Sequence, residues 1–157
     1  MVLVLLTVAA VIALRLGLYY TGNAPEGTDF MIVHFLALVT VVFFGGHRLL
    51  VTDPRARFPG LVRDGFRNAA VYALLMGLFI WFFYTSIDTD EFPRKIEERV
   101  AAVVAAGHPE AETRQRLEAM FTPFNYASIS FFAMLAVGAF NALLVAALHH
   151  KVLRRLR

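Results

Sequence analysis

The chain of 157 residues has no cysteine, which removes disulfide frameworks, thiolate metal sites and cysteine nucleophiles together. Charge is also scarce: Asp, Glu, Lys and Arg make up 17%, against about a quarter in a soluble domain. A Walker loop, an HExxH pair and a recognisable Ser–His–Asp arrangement are all missing. No basic stripe interleaved with aromatic residues occurs, so the pI of 9.6 is not read as nucleic-acid binding. No sequence repeat or low-complexity linker is evident.

Apolar residues are abundant instead: 59% of the chain, with a mean hydropathy of +0.62. They gather in four runs, 2–20, 30–51, 69–87 and 124–148. Each approaches the 20 or so residues that cross a hydrocarbon core of about 30 Å. None alternates with period two, and lipid offers no partner to backbone polar groups, so the runs are read as helices. The fold expected is therefore all-α and integral to the membrane, a single domain over 1–157. The first run is read as a retained span rather than a cleaved leader: it has no basic leading segment, it carries Arg15, and "YYTGNAPEG" has no small-x-small site.

Lys and Arg orient the spans. Arg48, Arg55, Arg57, Arg63 and Arg67 lie between runs two and three, and Lys151, Arg154, Arg155 and Arg157 follow run four. Both segments are expected on the cytoplasmic side, as are both termini. The opposite side receives Glu26 and Asp29 and the stretch 88–123, where eight acids outnumber five bases. Tyr19, Tyr20, Trp81 and Tyr84 would then lie at the outer interface, where aromatic rings with one polar atom are favoured.

The stretch "FYTSIDTDEFPRKIEERVAAVV" marks the exit of the third span. Asp88, Asp90 and Glu91 meet water, and Pro93 occupies a first helical turn, where its missing N–H costs nothing. Ile96, Val100, Val103 and Val104 recur on one helical face opposite Arg94, Lys95, Glu97, Glu98 and Arg99. Gly107 stops this helix, and His108 stands at the expected cap of a second one. Glu110 and Glu112 favour its N-terminus, and Leu117, Met120 and Phe121 give it an apolar edge. An extracytoplasmic amphipathic helical hairpin over 92–121 is expected, lying on the bundle or the outer leaflet.

This order of parts resembles the bacterial membrane proteins grouped as domain of unknown function 4199. The residues that carry the resemblance are Gly65-Phe66 in "RDGFRNAAVYALLMG", then Tyr84, Ile87, Asp88 and Asp90 in "FYTSIDTDEFPRKIEE", and Thr122-Pro123 in "FTPF". It extends from about Phe43 onward and departs from the pattern at Glu91, inserted between Asp90 and Phe92. The resemblance implies a four-span bundle in the bacterial cytoplasmic membrane and brings no catalytic residues. It also implies, by genomic association alone, a partner among polyprenyl-phosphate glycosyltransferases.

Ionisable groups inside a membrane are candidate functional residues by default. Arg15 and His34 each lie some five residues from the outer end of a span, a depth of about 7 Å. With Tyr19 and Asp29 they could form an anion or proton site. The plainer reading has Arg15 snorkelling toward Asp29 or Glu26 while His34 bonds a facing helix. His47, His149 and His150 could pair as haem ligands, but read more simply as helix-end residues. Glu97 and Glu98 point about 100° apart on a helix and read as a solvated face.

Small residues at Gly138, Ala142 and Ala146 recur every fourth position, a spacing that lets helices approach closely. Asn141 beside them should face protein rather than lipid, either its own bundle or a partner. The function expected is a non-enzymatic accessory or scaffolding subunit of a larger membrane complex, in contact with lipid and without a cofactor. The alternative is a small transporter or lipid-handling protein working through Arg15 and His34.

Overall fold

The computed structural model describes residues 1–23 and 29–151. Glu26, Arg154, Arg155 and Arg157 lie outside the described residues, as does the side chain of Asp29. Six helices are present and, among the described residues, no strand: α1 (Val2–Tyr20), α2 (Asp29–Thr52), α3 (Phe58–Ser86), α4 (Glu91–Ala105), α5 (Glu110–Met120) and α6 (Pro123–Lys151). Four of them, α1, α2, α3 and α6, are long and apolar enough to cross a membrane. The chain is thus a helical bundle consistent with a multi-pass membrane protein.

Local chemistry accounts for most boundaries. α1 ends at Thr21 and Gly22, whose φ of 71° is the left-handed conformation that glycine tolerates without strain. α2 stops before Pro54, which disfavours helical backbone at Asp53, and the Asp53 carboxylate accepts the Arg55 N–H at 3.0 Å. α4 closes at Gly107, φ 92°. Pro109, rather than His108, holds the capping position of α5, in extended backbone that starts the helix without a side-chain cap. The Thr122 hydroxyl accepts the Asn125 N–H at 3.1 Å and opens α6.

One helix is much longer than its apolar run. α3 begins at Phe58, eleven residues before the run that starts at Ala69. The added turns are amphipathic: Leu61 and Gly65 face inward while Arg63, Phe66 and Arg67 are exposed. Pro59 sits in the first turn, where it suits a helix start. A hydropathy threshold reads only the lipid-length part of such a helix.

Two compact units are distinguished. The first comprises Met1–Met76 and the part of α6 from Phe131. Within it α1 and α2 pair, α2 faces α3 through Val42 and Gly65, and α3 faces α6 through Ala69 and Gly138. These pairings, with His34 opposite Tyr72 and Ala142 opposite Gly65, make α3 antiparallel to both α2 and α6. Leu38, Val41, Val42, Ala69, Tyr72 and Met76 form its fully buried centre. A second apolar cluster, Leu50, Ala56, Leu61 and Ala146, lies by the loop between α2 and α3.

The second unit, Gly77–Ser130, holds the end of α3, both short helices and the start of α6. Its core is aromatic: the rings of Tyr84, Phe92 and Tyr126 meet edge-on, with centroids 5.0 to 5.8 Å apart. Ile96 and Val100 continue the buried face of α4 from Phe92, whereas Val104 is exposed. No residue of α5 is buried; Leu117 is half-exposed and Met120 is 67% exposed.

Candidate functional site

Four polar or aromatic side chains from three spans approach one another within the first unit. The Arg15 guanidinium of α1 lies 5.3 Å from the centre of the Phe30 ring, a cation–π distance. Phe30 in turn meets the edge of His34, one turn later on α2, at 5.2 Å. His34 Nδ1 is 2.9 Å from the Tyr72 hydroxyl of α3. Tyr72 is wholly buried, so its hydroxyl must find a partner inside the bundle, and His34 is that partner. Phe30 and Tyr72 were not among the residues singled out from sequence; a tyrosine in the middle of an apolar run is the signal that points to one of them. Tyr19 stacks edge-on with Tyr20 at 5.3 Å.

The histidines at the other end separate. The His149 ring is buried in contact with the position of Gly46 and tilted against Phe43 at 4.9 Å. Its Nδ1–H donates to the Val145 carbonyl at 2.9 Å, while Nε2 is buried with no hydrogen-bond partner among the described residues. His47 is exposed, and His150 meets Phe58 edge-on at 6.2 Å. Among the described residues no three metal-ligating side chains gather.

The small-residue stripe of α6 is occupied within the chain. A Cβ on Gly138 would fall 2.5 Å from that of Ala69, and one on Gly65 would fall 3.1 Å from Ala142. Asn141 is 5% exposed and therefore buried against its own bundle, yet its Nδ2 lacks a partner among the described residues. An orphaned buried amide costs about 1 to 3 kcal/mol.

Outside the spans, electrostatics takes over. Arg114 of α5 reaches across to Glu97 of α4 with two bonds, 2.5 and 3.0 Å, and also touches Glu110 at 3.3 Å. The hydrogen bond from Arg114 holds the Glu97 carboxyl below its ordinary range, and the same bond makes Arg114 harder to deprotonate. Partial burial pushes Glu91 up, but hydrogen bonds from Lys95, at 2.7 Å, and from Arg94 outweigh it, so this carboxyl too is depressed. Glu98 lies 3.6 Å from Arg94, so Glu97 and Glu98 serve separate ion pairs.

The first unit also holds a pocket bounded by α1, α2 and α3, lined by Arg48, Asp64, Arg67 and Asn68 together with apolar side chains. Sequence reading assigned Arg48 and Arg67 to orientation only. No protein-family model, no curated protein and no solved structure matches the chain.

Proposed function

We propose that the chain is a non-enzymatic accessory or scaffolding subunit of a larger assembly in the bacterial cytoplasmic membrane, and that α4 and α5 form an extracytoplasmic hairpin that recognises its partner. The observation that carries this reading is α5 itself. Eleven residues are shorter than an isolated helix needs in water, and α5 buries none of them in its own chain. The helix is held by Arg114 on Glu97, and α4 is seated by the Tyr84, Phe92 and Tyr126 rings. A helix presented in this way supports a recognition role. With Glu110, Glu112 and Glu118 beside Arg114 and Arg116 it lacks the strong apolar face of a helix that lies on lipid, and its mixed charge suits a partner of complementary charge.

The resemblance to domain of unknown function 4199 and the lysine–arginine asymmetry support the same placement, with both termini cytoplasmic. A polyprenyl-phosphate glycosyltransferase is the partner class to be tried first. Photo-crosslinkers at Gln115 and Met120 should trap one membrane protein in stoichiometric yield from native membranes, whereas a crosslinker at the lipid-facing Leu78 should trap none. Recovery of the uncrosslinked monomer alone at both hairpin positions would overturn the reading.

A second reading, a small transporter or lipid-handling protein, is favoured by the Arg15, Phe30, His34 and Tyr72 succession, which sets polar atoms from three spans inside the apolar zone. Arg15→Ala and His34→Ala should then abolish flux or lipid transfer in reconstituted vesicles. An unchanged signal in both variants removes it.

A further inference from the structure

Asp64, Arg67 and Asn68 form a fixed triplet on α3. The Asp64 carboxylate accepts Arg67 Nη2 at 2.6 Å on one oxygen and Asn68 Nδ2 at 3.2 Å on the other, so its acceptor capacity is engaged by its own helix. Asn68 is 5% exposed, and a side chain on Gly45 of α2 would run into its amide. Glycine at 45 therefore keeps the triplet close to α2. One helical turn further along α2, Arg48 enters the same cavity, which measures about 420 Å³. Among the described residues no acidic side chain lies within ion-pair distance of Arg48. Two guanidiniums stand against one carboxylate, and Met1 with its α-amino group also lines the wall, so the cavity carries a net positive charge.

We propose that this cavity binds the phosphodiester head group of a monoanionic membrane lipid. Arg48 and the N–H groups of Arg67 not used on Asp64 supply charge-assisted donors to the phosphate oxygens. The volume falls within the usual range of small-ligand sites, roughly 300 to 1,000 Å³. Beside Met1 and Thr52 the lining also includes Leu3, Val4, Val41 and Phe44, an apolar part that suits the glycerol backbone and the first methylenes of a chain.

The same two helices then supply a path for that chain. A separate apolar groove is bounded by Leu6, Ala10 and Leu14 of α1 and by Val33, Leu36 and Thr40 of α2, the next residues along both helices from Val4 and Val41 of the charged cavity. From Leu6 to Leu14 it covers about 12 Å along α1, enough for much of one acyl chain. Charge at the water-facing end and an apolar groove along the span together match an amphiphile rather than a soluble anion. The inference does not depend on the scaffolding reading, since a lipid bound here serves a subunit or a transporter alike.

The test is native mass spectrometry of the full chain released from nanodiscs of equimolar phosphatidylglycerol and phosphatidylcholine. One phosphatidylglycerol should remain bound to the wild type, and retention should fall roughly tenfold in Arg48→Gln and in Arg67→Gln, the scale of one lost charged hydrogen bond. Arg63→Gln, an exposed arginine outside the cavity, should leave retention unchanged. Unfolding of each variant in lipid-free detergent separates loss of the site from loss of the fold; Gly45→Ala, which alters no charge but displaces Asn68, should weaken retention as well. Equal retention of phosphatidylcholine, or an equal loss in Arg63→Gln, would overturn the proposal. Displacement of the bound lipid by millimolar inorganic phosphate would assign the cavity to free phosphate and overturn it too.

Discussion

Between α3 and α6 the helices are held by closeness of backbones: Gly138 sits against Ala69 and Gly65 against Ala142, with hardly a polar atom involved. Between α4 and α5 the tie is Arg114 on Glu97, exposed to water, and α5 contributes no buried side chain. The first region belongs to helices long and apolar enough to cross a membrane, and the second does not. In lipid, apolar side chains gain nothing by meeting each other rather than acyl chains, so packing and small residues decide association. In water the apolar face of α4 is driven inward, while exposed ion pairs add little. The comparison teaches that the same residue type should matter unequally in the two places.

The largest effect should come from the aromatic seat of α4. Phe92→Ala removes a ring that is 5% exposed and should destabilise α4 by about 3 kcal/mol. Hydrogen exchange would report this as lost protection over 91–105 with α1 and α2 unaltered. Loss of protection throughout the chain would show the two regions to be one cooperative unit and break the comparison.

Next is the counterpart between α3 and α6. Gly138→Leu forces a side chain into Ala69 and should cost about 2 kcal/mol in reversible mixed-micelle unfolding. Gly17→Leu, where a side chain meets open space, should cost far less. Equal costs at both sites would mean that close approach is not what binds the spans. A smaller change of opposite sign is expected at Asn141. Its orphaned Nδ2 makes Asn141→Leu stabilising by about 1 kcal/mol in the same assay. Destabilisation instead would reveal a bound partner for the amide.

The smallest effect concerns acid. The folded Glu97 carboxyl holds its proton less tightly than the unfolded one, because Arg114 bonds its ionised form. Its contribution is therefore complete above the ordinary carboxylate value of about 4.3 and fades as pH falls through the depressed folded value. Protection of α5 amides should be flat from neutral pH down to that range and then decline, and Glu97→Gln should remove the decline attributable to this pair. High salt should mimic a fraction of it.

Much of the fold could be read from the chain. The four spans stand within a residue or two of their apolar runs at every end except the start of α3 and the end of α6, where helix continues beyond the lipid-length core through basic and histidine residues. Periodicity also identified the buried face of α4 through Ile96 and Val100, but extended it to Val104, which is exposed. The apolar edge expected for α5 is weaker still, with Met120 in the open. Short helices bury what their neighbours can cover, and sequence does not say how much cover is available.

The candidate polar residues show the same division. That Arg15 and His34 need partners follows from their place in apolar runs. Which partners they take depends on helix rotation and register: Phe30 receives Arg15, and Tyr72 receives His34. Likewise Asn141 had to face protein, but only the bundle showed that its own chain buries it.

Composition and run length alone determined that four helices are long and apolar enough to cross a membrane and that charge collects in the segments between them, because burying a backbone polar group or an ion in hydrocarbon is costly. Tertiary structure decided what meets what. Glycine 45 beside Asn68, and Arg48 sharing a cavity with Arg67, come from residues some twenty positions apart. Their approach is set by the angle and offset of two packed helices, which no local pattern encodes.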